Sequence, residues 1–155
     1  MKSILIVVVL FFASICFAQA NPAFETMKSL AGEWKGTGPE GKQVTVTYEV
    51  VSGGTAVLET LVNPPMVTTY YLDGDNLMLT HYCMANNQPR MKAGAQQGKA
   101  IEFRFVDATN LKSADGGHMQ GLTLTVEDAD HIQQQWTWSE KGKSAPHAFM
   151  LERVK

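Results

Sequence analysis

The chain has 155 residues and a formal net charge of −2, with 13 Lys and Arg against 15 Asp and Glu. No basic stripe runs through it, which disfavours nucleic-acid binding, because that rests on clustered cations neutralising phosphates. Its length suits one domain that buries a core without disulfides or structural metal, and it holds no Walker loop, nucleophile elbow or Ser-His-Asp order.

The N-terminus, MKSILIVVVLFFASICFAQANP, reads as a secretory signal peptide. Lys2 supplies the positive start. Ile4 to Phe12 is an unbroken apolar run, short for a membrane span, and Ala18-Gln19-Ala20 fits a small-x-small cleavage site. A lipoprotein reading at Cys16 is disfavoured, since Ile15 stands where a small residue is needed. Residues 1–20 are therefore expected to be removed, leaving 21–155 as a single domain. That domain is expected to be exported to the periplasm or the extracellular space, with no membrane span after cleavage. Cys83 is then the only cysteine, so no intramolecular disulfide can form.

A short helix is predicted from Asn21 to Glu33, where Pro22 suits its start, Phe24, Met27, Leu30 and Ala31 share a side, and Gly32 ends it. Beyond it the chain alternates. Val44, Val46, Tyr48 and Val50 fall on one face of a strand, with Thr45, Thr47 and Glu49 on the other. The same rhythm recurs at Ile101, Phe103 and Phe105, at Leu122, Leu124 and Val126, and at Ile132, Gln134, Trp136 and Trp138. It ends with His147, Phe149, Leu151 and Arg153. Turn chemistry at Gly53-Gly54, Asp73 to Asp75, Asn86-Asn87, Asp115 to Gly117, Asp128 to Asp130 and Lys141 to Lys143 separates the runs. About ten strands result, near 33–38, 42–51, 55–62, 65–72, 76–84, 88–94, 100–106, 118–127, 131–139 and 145–154.

Strands with one buried face need a closed barrel or two packed sheets. Consecutive hairpins favour an all-β, antiparallel up-and-down barrel, which also abolishes sheet edges; a sandwich is the alternative. A barrel of this size can enclose one small ligand.

The segment Leu30 to Gly38, LAGEWKGTG, resembles the opening of calycin barrels, in which a short helix leads through G-x-W into the first strand. The match is Gly32, Glu33 and Trp34. The resemblance implies that Trp34 packs across the closed end. The strand order looks most like the ten-stranded fatty-acid-binding-protein-like and nitrobindin-like barrels, and like small exported lipocalin-like bacterial proteins of uncharacterised function. Nitrobindin-like barrels hold haem through a histidine in a terminal strand, which implies a haem role for His147 here. Fold likeness alone does not assign a function.

Asp75 to Met84, DNLMLTHYCM, carries the densest candidate chemistry. In strand register Leu77, Leu79, His81 and Cys83 share one face and Met78, Thr80, Tyr82 and Met84 the other. Neither face is polar, so the strand is expected to be covered on both sides, or to meet the helix or a partner. His81 and Cys83 are placed inside, where a buried imidazole needs partners and can present one nitrogen to a ligand. The bland alternatives are a satisfied core histidine and a small buried thiol. A thiol or histidine-assisted activity at His81 and Cys83 lacks a visible third residue to orient the imidazole. Arg90 either shares the interior with His81 and receives an anionic head, or is a solvated charge. Trp136, Trp138, Phe103 and Phe105 are core or pocket wall, and of Tyr70 and Tyr71 one can reach the cavity. The leading expectation is a barrel that binds a small apolar or amphipathic ligand, with Tyr70, His81, Cys83, Arg90, Trp136 and His147 as candidate contacts.

Overall fold

In the computed structural model, residues 20–155 are described; residues 1–19 of the expected signal peptide lie outside them. Helix α1 spans Pro22–Ser29. The Asn21 side chain caps it by accepting the Phe24 N–H at 3.0 Å, and Pro22 occupies the first turn, where no N–H is needed. The helix stops short of the predicted Glu33 because β1 begins at Gly32, whose φ of +131° turns the chain and which pairs with Tyr48.

Ten strands follow: β1 Gly32–Thr37, β2 Gln43–Val51, β3 Ala56–Leu61, β4 Met66–Asp73, β5 Asn76–Tyr82, β6 Gln88–Ala93, β7 Ala100–Thr109, β8 His118–Val126, β9 His131–Glu140 and β10 Lys143–Arg153. Each pairs antiparallel with its sequence neighbour, and β1 pairs with β10 from Trp34↔Arg153 to Thr37↔Met150, which closes the barrel. The sandwich alternative is thereby excluded. Closure brings β1 and β10 so close that a Cβ on Gly36 would lie 1.8 Å from the Met150 carbonyl oxygen.

One barrel end is plugged from α1. Phe24, Met27 and Leu30 are buried there beside Trp34, which is fully buried and donates its indole N–H to the Leu30 carbonyl at 2.8 Å. The Arg153 guanidinium stacks over the Trp34 ring at 4.2 Å and donates to the carbonyls of Ser29, Ala31 and Ala129, tying the last strand to the plug. The expected closing role of Trp34 is thus what the packing gives. At the other end, the mouth, lie the connections 38–42, 62–65, 83–87, 110–117 and 141–142.

The predicted inward faces hold along most of their length, with Val44, Val46, Tyr48, Ile101, Phe103, Leu122, Leu124, Ile132, Gln134, Trp136, Phe149 and Leu151 all buried. They fray at strand ends: Val50 is 41% exposed, and Phe105 and Trp138 are half-buried. On β5, coverage of both faces is found at Met78, but Tyr82 and, just past the strand, Met84 stand in solvent.

Candidate functional site

Inside the barrel, toward the mouth, a group of polar side chains meets a small void. The two-residue alternation of β5 that buries Leu77 and Leu79 turns His81 inward, opposite Thr68 of β4. His81 Nδ1 and the Thr68 hydroxyl lie 2.9 Å apart. The imidazole packs against the Trp136 ring, centroid to centroid 4.7 Å. His81 is 3% exposed, and its Nε2 is buried without a hydrogen-bond partner. Burial lowers its pKa from 6.5 to about 4, because the charged form loses its hydration, so the ring is neutral at pH 7.

Glu59, on the inward face of β3 between Val57 and Leu61, is buried as well. Its Oε2 accepts from the Tyr70 hydroxyl at 2.7 Å and from Gln134 Nε2 at 3.0 Å, and the Tyr48 hydroxyl faces the same carboxyl. Desolvation raises the Glu59 pKa, and the three donors oppose that rise. Gln134 Nε2 also donates to Tyr48, while its Oε1 accepts from the Trp136 indole at 3.0 Å. No Lys or Arg is buried among the described residues, so the carboxyl has no cation.

The void beside His81 has a volume of about 20 Å³, room for about one water. Glu59, Thr68, His81 and Gln134 supply its polar lining; Leu61, Met66, Met119, Trp136 and Phe149 supply the apolar wall. Anything larger enters only if wall side chains move, and two of them are methionines, unbranched and able to repack. Leu61 and Met66 also border an open groove of about 450 Å³ on the barrel's outside, with Pro65, Val67 and Tyr82. Val62, Tyr82 and Met84 add exposed apolar surface at this rim, being 57%, 50% and 62% exposed.

Of the six candidate contacts, the structure brings Tyr70, His81 and Trp136 into the interior group. The hydroxyl of Tyr70 is committed to Glu59, while Tyr71 points to the other face, as expected. Cys83 is half-buried in the hairpin after β5, where its N–H donates to the Asn87 carbonyl, and no hydrogen bond links it to His81. Arg90 does not share the interior: it pairs with Thr80, on the outward face, and clamps Asp107 with both arms of its guanidinium. His147 is half-buried at the mouth end of β10, opposite Trp136 in register, and forms no part of the void's wall.

The void beside Trp136, at about 20 Å³, is far below the several hundred Å³ of a cofactor pocket, and His147 is not among the residues that line it. Among the described residues, no three His, Cys, Asp or Glu side chains gather where a metal could be held. Sequence reasoning missed Glu59, Thr68 and, as a hydrogen-bonding group, Gln134. Its only usable signal for Glu59 was the inward parity of Val57, Glu59 and Leu61, masked because Leu58 makes the opposite face apolar too.

No family model matches the chain, and no curated protein matches it. The closed ten-strand antiparallel barrel is compatible with a calycin-like fold.

Proposed function

We propose that this protein is an exported binding barrel for a small amphipathic ligand, whose polar head enters beside His81 and whose apolar part lies among Leu61, Met66, Met119 and Phe149 and over the rim toward Pro65 and Tyr82. The observation that carries this reading is His81, whose Nε2 is buried and unpartnered and whose side chain lines a void. A buried donor or acceptor left without a partner costs about 1–3 kcal/mol, which a ligand head would recover. The apolar groove that shares Leu61 and Met66 with that void supports an amphipathic ligand over a purely polar one. Export is supported by the N-terminal pattern: the positive start at Lys2, the apolar run from Ile4 to Phe12 and the small-x-small site at Ala18 to Ala20.

Native mass spectrometry of the protein purified from the organism that makes it tests both parts. The expected result is a chain whose mass begins at Asn21, carrying a lipid-like adduct that organic extraction removes. A chain that retains residues 1–20 would refute export. A chain that carries no adduct, and whose melting temperature no alkyl alcohol, acid or amine raises, would refute the binding role.

A further inference from the structure

Resting on that reading, we infer that the head group is an uncharged oxygen acceptor, such as an alcohol or the carbonyl of an ester or amide, received by the N–H of His81 Nε2. The assignment follows from where the protons must sit. Thr68 is 1% exposed, and its only side-chain hydrogen-bond partner is His81 Nδ1. A buried hydroxyl proton needs an acceptor, so Thr68 donates and Nδ1 accepts. The single proton of the neutral imidazole is then on Nε2, the unpartnered nitrogen of a side chain that lines the void.

Of the other polar groups on the wall, Gln134 is fully occupied and Glu59 partly so. Gln134 gives its amide hydrogens to Tyr48 and Glu59 and its oxygen to Trp136. Glu59 Oε2 holds two donors. What the site lacks is one acceptor for His81. An ammonium can meet the Glu59 carboxyl, but it brings only donors and leaves the His81 N–H unmet. A carboxylate would accept from it, but would share the void with the Glu59 carboxyl and no buried cation. Arg90, whose guanidinium suits a carboxylate, is held outside on Asp107.

Calorimetric titration of the mature chain with 1-decanol, decanoate and decylamine at pH 7 tests this, each kept below its aggregation concentration. Decanol is expected to bind at least about tenfold more tightly than either charged analogue, the equivalent of about 1.4 kcal/mol. His81→Leu is expected to weaken decanol about tenfold while leaving the two weak ligands where they were. Nitrogen-15 spectra of the unliganded wild type, which need no variant, are expected to show the His81 proton on Nε2. Binding of decanoate or decylamine as tight as decanol, or a proton on Nδ1, overturns the head-group assignment and leaves the barrel a ligand binder. No binding of any of the three overturns both.

Discussion

Glu59 and His81 are two titratable residues whose burial opposes folding, and each is held by specific partners. The Glu59 carboxyl has no cation and relies on donors from Tyr70, Gln134 and Tyr48. Tyr70→Phe removes one of them and is expected to destabilise the fold by about 1–3 kcal/mol, read as a lower urea midpoint; an unchanged midpoint would mean the carboxyl does not depend on that hydroxyl. The two groups also pull stability in opposite directions with pH. His81 has a folded pKa of about 4 against 6.5 unfolded. Its contribution is therefore full above pH 6.5 and is lost as pH falls toward 4, about 3 kcal/mol at about 1.4 kcal/mol per pH unit. Glu59 is raised, so its contribution is full below its unfolded pKa of 4.5 and is lost as pH rises through the folded value. In Glu59→Gln the Glu59 contribution is gone while that of His81 remains. Urea midpoints measured between pH 7 and pH 4 are expected to fall more steeply in that variant than in the wild type, and equal slopes would contradict the opposition.

At the scale of elements, closure depends on how near β1 and β10 can come. Gly36 has no Cβ to meet the Met150 carbonyl, and Gly36→Ala forces the strands apart. A loss of about 3 kcal/mol or more is expected, with faster amide exchange in β1 and β10 than in β5; uniform exchange would show that the seam tolerates the methyl. The outer pair Arg90–Asp107 makes a contrast. Both side chains are about half exposed, so Arg90→Ala is expected to cost less than about 1 kcal/mol and to leave ligand binding unchanged. The strand rhythm was readable because turn residues such as Asp73-Gly74-Asp75 and Lys141-Gly142 interrupt alternating runs, and the structure keeps a strand on each side of both. Arg90 was ambiguous because its strand, Gln88–Ala93, is short and carries a register shift beside Arg90 itself. Yet Gln88, Arg90 and Lys92 alternate with Pro89, Met91 and Ala93 across the whole strand, a parity that favours the outward face for Arg90.

For the molecule as a whole, alternation specifies that each strand buries one face, but barrel and sandwich meet that demand equally. The choice rests on a pairing between the first and last strands that no local pattern announces. Whether the interior is hollow is further from the sequence still. Phe103, Trp136, Phe149 and the methionines read the same as core or as pocket wall, and only their packing in three dimensions leaves about 20 Å³ beside His81. The polar chain through Glu59 and Gln134 was likewise hidden, since it is assembled from β2, β3, β4 and β9. The most direct measurement of the interior site is a nitrogen-15 proton correlation spectrum of the imidazole and indole groups, recorded with and without saturating 1-decanol. Ligand held inside shifts the His81 Nε2 and Trp136 Nε1 signals together and leaves Trp34, behind the plug, in place. Shifts confined to the backbone amides of rim residues such as Tyr82 and Met84, with the His81 and Trp136 side-chain signals unmoved, would contradict interior binding.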